Sequence, residues 1–385
     1  MDSFTYNSLL SHYDGFADPV AVVKINDEDV KGNKAGFSIS DIEIDMSCGF
    51  DAGQAAYSMY NCYDSIKSKF NYLAIKNYIT LGSSVSIALG YDMKARNVFR
   101  GIIVRVEFVI DDYSAPHVRV TAMDVKAIMM ANHYHKSLLA TSYSAAVKEI
   151  FSQNVYMNLI GPTNVITKLD ISATPDSLEA PTGVDTDESI EMVGESDYEF
   201  VVRAAKKYNY EFYCIAGQVL FRTAKGDPTI LLSFGNATRV YNMNIAYDVT
   251  GLVNKVIVRG LDVGNAKAVE SFQTNNSKIS TKPSASSLIS GSEYVYVDPT
   301  VTNKLEATRR SDYLFEEMAY RYGTLEMEIA GLPEVIPGRF IELKDFGGVL
   351  ENTFYVTAVK HKLAENGKYT TKITGACKGL PMMTV

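Results

Sequence analysis

Several residue types that support chemistry or cross-linking are scarce in this sequence of 385 residues. It has no tryptophan, five histidines and four cysteines, and the cysteines form no Cys-x-x-Cys pair. This spacing argues against a zinc ribbon and against a disulfide framework, and favours buried thiols. Phosphate-binding glycine loops and the motifs of zinc proteases and serine hydrolases are also missing. His133 and His135 would share one face of a strand, but no third ligand is close in sequence. We therefore predict no catalytic residue, no cofactor and no metal site, and a protein that is not an enzyme.

Positive charge is scarce as well. The 37 lysines and arginines are outnumbered by 45 acidic residues, which gives a net charge of −8. No overall positive field exists, so we expect no direct, sequence-specific binding of nucleic acid. No apolar run approaches the ~18 residues of a membrane span. Residues 1–11 lack the basic region and apolar core of a signal peptide. We therefore predict no membrane span and synthesis in the cytoplasm.

Aromatic residues, by contrast, are plentiful. The chain has 25 tyrosines and 17 phenylalanines, and 46% of its residues are hydrophobic. Tyrosine is common in β-strands and at interfaces that have one hydrated edge. The composition therefore indicates a folded, β-rich protein that is able to assemble.

Hydrophobic periodicity divides the chain into four parts. Residues 15–130 alternate with period two, residues 131–228 have the period of helices, and strands return in residues 229–262 and 323–385. Residues 263–322 form a second insertion, a polar mobile loop followed by a helix. The predicted fold class is α+β, mainly β, with an inserted α/β domain and a second, smaller insertion.

The first insertion contains a strong helix signal. Ser196 and Glu199 form a capping box ahead of an apolar stripe. We expect four side chains of this helix to be buried against the following hairpin, residues 210–222: Phe200, Val201, Ala204 and Ala205. Arg203 is expected at the edge, paired with a carboxylate. The stripe indicates a packed element rather than a binding motif.

The first and last thirds of the chain resemble each other. Residues 96–99 align with residues 351–354, which lie 255 positions later, and a long strand, a polar turn and a final strand follow in both. One interpretation is the shared pattern of any two hairpins. The other is an internal duplication of a small antiparallel barrel, which lets a ring match symmetries of different order.

Two strands carry rows of carboxylates. Asp41, Glu43 and Asp45 alternate with isoleucines, and Glu326 and Glu328 repeat this alternation in the last third. A solvated outer face would explain the pattern. A channel wall that repels anionic cargo would explain it too, so these five residues are the candidate channel-lining set.

Five sequence marks occur in order along the chain. The strongest is the run Gly-Glu-Ser-Asp-Tyr-Glu-Phe-Val-Val-Arg-Ala-Ala at residues 194–205. This run resembles the Glu-Ser-Asp-x-x-Phe-x-x-Arg motif of phage late-control protein D and of the N-terminal hub part of VgrG spike proteins. The others are Phe-Arg-Gly-Ile at residues 99–102, the strand at 253–262, Ile-Pro-Gly-Arg-Phe at 336–340 and the strand at 355–361. Together they cover nearly the whole chain.

This resemblance implies a baseplate hub without chemistry. It implies two tail-tube-like antiparallel β-barrels per chain, and a homotrimer whose six barrels form a pseudo-sixfold ring around a central channel. The ring would adapt a hexameric tail tube to a trimeric spike. VgrG chains continue into a spike, whereas this sequence ends at Val385, so the spike is expected to be a separate protein.

The implied partners are the tail tube ring, the spike, the tape-measure protein and other baseplate proteins, all incorporated in the baseplate of a tail or tail-like particle. The resemblance leaves open whether that particle is a phage, a bacteriocin or an injection apparatus. The alternative functions are a cell-wall-degrading tail-tip protein, which would need an added catalytic domain, and a carbohydrate-binding protein, which would need an exposed aromatic cluster.

Overall fold

β-Strands dominate the computed structural model, which describes residues 3–31, 33–178, 190–262, 264–275 and 287–379. The predicted mainly β class is confirmed. The four cysteines are buried free thiols, as their spacing indicated. Among the described residues, no helix has the length and apolar character needed to cross a bilayer.

The first β region follows the period-two pattern of its sequence. Its strands are β1 Phe4–Thr5, β2 Pro19–Ile25, β3 Glu28–Asp29, β4 Ser38–Ser47, β5 Gln54–Tyr60, β6 Tyr63–Asp64, β7 Lys69–Phe70, β8 Ser84–Tyr91, β9 Lys94–Val109 and β10 His117–Met123. Two short helices accompany them, α1 Tyr6–His12 and α2 Tyr72–Ile75.

The inserted α/β domain comes next. Its elements are α3 Lys126–Met129, β11 Tyr134–Leu138, α4 Tyr143–Phe151, α5 Asn154–Met157, β12 Lys168–Ile171, β13 Ile190–Glu195, α6 Asp197–Tyr208, β14 Tyr210–Ile215 and β15 Gln218–Thr223. Strand β12 lies parallel to β15, which forms the predicted hairpin with β14. Strands β11 and β13 form a separate antiparallel pair.

Helix α6 has the packing that its sequence predicts. The Ser196 hydroxyl accepts a hydrogen bond from the backbone N–H of Glu199, and the Glu199 carboxylate accepts one from the backbone N–H of Ser196. This is the predicted capping box. The four predicted core residues are completely buried, and Arg203 binds the Glu195 carboxylate at 2.6 Å. Asn209 ends the helix in the left-handed conformation, with a φ of 55°.

The second β region and its insertion complete the chain. Their elements are β16 Ile230–Phe234, β17 Val240–Tyr247, β18 Lys255–Asp262, β19 Lys267–Thr274, β20 Glu293–Val297, α7 Lys304–Ala319, β21 Gly323–Ala330, β22 Phe340–Leu343, β23 Thr353–Leu363 and β24 Tyr369–Cys377.

The insertion is larger than its predicted bounds of 263–322. Strand β18, expected in the second barrel, pairs with β19 and β20 in a separate three-stranded sheet that packs on α7. The physical reason is burial, because Val256 and Val258 are completely covered there. Strand β19 also occupies part of the predicted mobile loop, and residues 276–286 of that loop lie outside the described residues.

The two β regions form one sheet in place of two separate antiparallel barrels. Strand β4 of the first region pairs with β23 of the second, so fourteen strands belong to one sheet. That sheet is mixed, because β16 runs parallel to both β1 and β22. Pairing among the described residues closes neither region into a barrel of its own.

Candidate channel face

Strand β4 has one buried face and one polar face. The alternating residues Ile42, Ile44 and Met46 are 2%, 0% and 4% exposed, and they belong to the core shared by both β regions. Glu43 and Asp45 lie on the opposite side, because successive side chains of a strand point to opposite faces. The predicted alternation of this strand is therefore present.

The register places the second carboxylate pair on the same face of the sheet. Asp45 lies opposite Lys360 of β23, Lys360 lies opposite Lys372 of β24, and Lys372 lies opposite Glu328 of β21. Directly opposed residues share a face. Glu326, two residues before Glu328, shares it too. We call this side of the sheet the polar face.

Lysines from β23 and β24 lie between these carboxylates. The Lys362 Nζ is 2.6 Å from one Glu43 carboxylate oxygen, and the Lys360 Nζ is 3.2 Å from the other and 3.4 Å from Asp45. On β24, the Lys372 Nζ is 3.1 Å from Glu326. Within the chain, three lysines thus offset three of the four carboxylates of the polar face.

These contacts change the protonation of the paired groups. The hydrogen bond from Lys362 holds the pKa of the Glu43 carboxyl below its ordinary value, against the opposing effect of partial burial. Burial lowers the pKa of Lys360, but Asp45 and Glu43 outweigh this effect and the pKa is raised. Both shifts keep the ion pairs charged at neutral pH.

Asp41 lies apart from this row. It has a φ of 51° and occupies a bulge, since the pairing of β4 with β5 is interrupted between Ser40 and Glu43. It shares a shallow depression with Lys362 and Glu365. Of the five candidate channel-lining residues, the structure brings Glu43, Asp45, Glu326 and Glu328 onto one face and places Asp41 at its margin. That they line a channel stays a prediction.

The internal duplication is visible in the sheet topology. Apart from the two-residue strands, the order across the first region is β2, β8, β9, β10, β5, β4, and across the second it is β16, β22, β23, β24, β21, β17. The two orders are the same when each set is numbered along the chain. The one difference in sense is that β2 is antiparallel to β8, whereas β16 is parallel to β22.

A shared bulge gives the alignment of the two copies. On β9, Val104 is skipped between the pairs that Ile103 and Arg105 make with β10. On β23, Thr357 is skipped in the same way against β24. The long strands therefore align with a shift of 253 positions rather than the 255 inferred from the short sequence match.

This alignment changes which residues are counterparts. Strand β17, not β21, is the equivalent of β4. Glu43 lies opposite Ala56 of β5, and Asn244 lies opposite Glu326 of β21, so Asn244 is the counterpart of Glu43. The two carboxylate rows share a face, but they are not duplicates of each other.

A cavity of about 550 Å³ lies between α6 and α7. Its charged side chains bind groups of the protein. Arg310, for example, donates to the Lys206 carbonyl at 2.6 Å and lies 3.3 Å from Asp298. His133 and His135 do not converge, because they face Glu199 and Glu191 at 3.8 Å and 3.7 Å. Within the described ranges, no group of three metal-binding side chains is placed to hold an ion.

The chain matches one family of known proteins. Residues 34–365 match the model of the Alg8 N-terminal domain. No curated protein matches the chain.

Solved structures with a similar fold are tail and secretion-system proteins. The tail protein from Neisseria meningitidis is 10% identical with a TM-score of 0.63, over 94% of this chain and 97% of that one. The 43 kDa tail protein of prophage MuSo2 from Shewanella oneidensis is 14% identical with a TM-score of 0.62, over 93% and 98%. The Escherichia coli c3393 protein, a component of the type VI secretion system, is 12% identical with a TM-score of 0.54, over 92% of this chain and 76% of that one. The fold of this chain is therefore that of phage tail proteins.

Proposed function

We propose that this chain, which belongs to the family of Alg8 N-terminal domains, is a structural baseplate hub. The proposal rests on its fold, which is that of phage tail proteins. In this proposal, three copies form a pseudo-sixfold ring that adapts a hexameric tail tube to a separate trimeric spike. The ring belongs to a contractile tail or a tail-like particle, and its role is architectural rather than enzymatic.

The observation that carries the proposal is the repeated six-strand unit. Each chain contains two units with the same strand order, joined edge to edge by β4 and β23. Two similar units per chain let three chains present six similar surfaces on one side of a ring and three on the other. This is the geometric requirement for a joint between sixfold and threefold structures.

We further propose that the polar face lines the channel of this ring. Three of its four carboxylates, Glu43, Asp45 and Glu326, are paired with lysines of the same chain, so the wall presents hydrated charges with a small net field. Such a wall neither retains nor strongly repels a passing polymer. This consequence differs from the acidic lumen expected from the carboxylates alone.

The proposal is tested by imaging the assembled particle and by native mass measurement of its hub. Three copies are expected, with Glu43 and Glu326 facing the lumen. Two or six copies would contradict the trimer, and carboxylates on the outer surface would contradict the channel assignment. Release of fragments from peptidoglycan by the purified chain would favour the cell-wall-degrading alternative instead.

A further inference from the structure

The contact between β4 and β23 is a template for a second contact between copies of the chain. Six residue pairs form it, and the pairs on one face are Met46 with Val359, Ile44 with His361 and Ile42 with Leu363. The three β4 residues are buried, as are Val359 and His361. Pairing these two edges therefore seals the apolar side of the sheet at the joint.

The duplication provides a matching pair of edges that the chain itself does not join. Strand β9 is the counterpart of β23, and it pairs with β8 only as far as Ile102. Among the described residues, no strand pairs with that edge of β9 beyond this point. Strand β17 is the counterpart of β4, and within the same described ranges it pairs with β21 alone.

The side chains along these edges have the alternation of the template but are less covered than its side chains, and the Phe108 ring meets the Phe70 ring edge-on with centroids 5.0 Å apart. Phe108 and Ile110 are 47% and 62% exposed, and they take the positions of His361 and Leu363. On β17, Ile245 and Met243 take the positions of Ile44 and Ile42 and are only partly buried. An edge with exposed apolar side chains is a template for pairing with another chain.

We propose that β17 of one copy pairs antiparallel with β9 of a second copy, in the register that β4 and β23 use within the chain. The bulges at Val104 and Thr357 align β9 with β23, so the register of β4 and β23 can be applied to β17 and β9 residue by residue. The expected pairs are Arg105 with Asp248, Val106 with Tyr247, Glu107 with Ala246, Phe108 with Ile245, Val109 with Asn244 and Ile110 with Met243.

On the core side of the sheet, the chemistry of these pairs matches the template. Phe108 with Ile245 and Ile110 with Met243 place apolar side chains opposite one another on the core side of the sheet. Arg105 and Asp248 bring opposite charges together at one end. A slip by one residue would set Phe108, on the core side of β9, opposite Ala246, on the polar side of β17. The alternation of the two strands therefore specifies the register.

The contact is heterologous, because each copy offers β17 to one neighbour and β9 to the other. Repetition of such a contact gives a closed ring or an open filament. The inference rests on the proposed function only in that both require the chain to assemble with itself. It adds the edges and the residues that would meet.

Cysteine cross-linking tests the register. Two variants carry in-register pairs, Phe108→Cys with Ile245→Cys and Glu107→Cys with Ala246→Cys. In an antiparallel ladder, pairs with and without direct backbone hydrogen bonds alternate, and these two neighbouring pairs are therefore one of each kind. The pair without direct hydrogen bonds has the closer Cβ atoms and is the better placed to form a disulfide. The slipped control is Phe108→Cys with Ala246→Cys. The unmodified chain is a second control, because its four cysteines are buried.

After mild oxidation, at least one in-register variant is expected to run as covalent dimers and larger species, with the slipped control and the unmodified chain below about a tenth of that yield. The variant with Glu107→Cys and Ala246→Cys keeps the apolar side chains, so it tests the register even if the Phe108→Cys variant does not fold. Equal yields from slipped and in-register variants, or no covalent species from either in-register variant, would overturn it.

Native mass of the unmodified protein separates this inference from the proposed function. A trimer without in-register cross-links would overturn the strand register and leave the hub proposal standing. In-register cross-links in a ring with another number of copies would support the strand register and overturn the trimeric hub. A chain that stays monomeric and forms no cross-link contradicts both.

Discussion

A histidine occupies the core at the joint between the two β regions. The His361 ring is completely buried, with its Nδ1 at 3.0 Å from the Thr371 hydroxyl and 3.1 Å from the Tyr369 hydroxyl. Burial disfavours the charged form and lowers its pKa from 6.5 to about 4. The side chain is therefore neutral at pH 7, and it acts in packing and hydrogen bonding.

This histidine predicts acid sensitivity. The unfolded chain takes up the proton near pH 6.5 and the folded chain only near pH 4, so the unfolded state binds more protons between these values and stability falls as pH falls through that window. The loss should reach about 3 kcal/mol near pH 4. His361→Gln should remove that part of the pH dependence, measured by urea unfolding between pH 7 and pH 4.5. The matched control is His12→Gln at an exposed position, and an equal pH dependence of all three chains would refute the prediction.

Substitution of Phe200 is expected to lower the free energy of unfolding more than substitution of Ser196. Phe200 is completely buried in the core of the insert, so Phe200→Ala should cost about 3 to 5 kcal/mol through lost burial and a cavity. Ser196→Ala removes one cap and should cost about 1 kcal/mol. Chemical denaturation measures both.

The matched control for this pair is Phe272→Ala. That ring is more than half exposed on β19, so its loss should change the unfolding free energy much less than Phe200→Ala. If α6 were instead a functional contact, Phe200→Ala would leave the melting temperature nearly unchanged while it abolished particle assembly.

At the scale of the elements, the ion pairs between β4 and β23 bear on how the sheet is joined. Glu43 and Lys362 are 25% and 45% exposed, so water screens their attraction. The apolar pairs on the opposite face are buried and should contribute most of the stability of the joint.

A double-mutant cycle with Glu43→Gln and Lys362→Met tests this division. The coupling energy is expected to be below about 1 kcal/mol and to fall as salt is added. The exposed pair of Arg259 and Glu270 in the insertion sheet is a matched control at the same 2.6 Å separation. A coupling of several kcal/mol at Glu43 that salt does not change would show that the polar face stabilises the joint.

At the scale of the whole molecule, the two β regions share one core. A single hydrophobic cluster contains residues of both, and the Tyr13 hydroxyl donates to Glu334 at 2.6 Å across the boundary. The insertion sheet has other clusters, built around Phe315 and Val258. We expect the β regions to unfold together and the insertion sheet to open separately.

Hydrogen exchange should reveal this cooperativity. Ile44→Ala on β4 removes a completely buried side chain at the joint, so it should cost about 2 to 5 kcal/mol and reduce amide protection in β23 and β24 as well as in β4. The comparison variant is Val258→Ala, which should affect only β18 to β20 and α7. Loss of protection confined to β4 in the Ile44→Ala chain would contradict a shared core.

Features that depend on neighbouring residues could be determined from the sequence alone. The period-two pattern of residues 42–46 identified which side chains of β4 enter the core, because alternation follows directly from strand geometry. Ser196 and Glu199 identified the start of α6, because a capping box is completed within one helical turn. The mainly β class followed from many such local signals.

Features that depend on distant pairing were decided only by the tertiary structure. The lysines at 360 and 362 lie more than 300 positions from Glu43, and only the pairing of β4 with β23 brings them together. The alternation of Lys360 and Lys362 around His361 was a signal that could have suggested lysines on the face opposite the core. Two further features could not be predicted from the sequence: β18 belongs to the insertion sheet, and the two copies align with a shift of 253 positions.

The physical reason is that a strand offers two backbone edges that are alike in any sequence window. Alternation specifies the faces of a strand, but the partner at each edge is chosen by which pairing buries the most apolar surface in the folded chain. For β4 that choice is β23, where Ile44 and His361 become completely covered. The sequence thus determined the faces of the strands in this protein, and the shared core determined which edges meet.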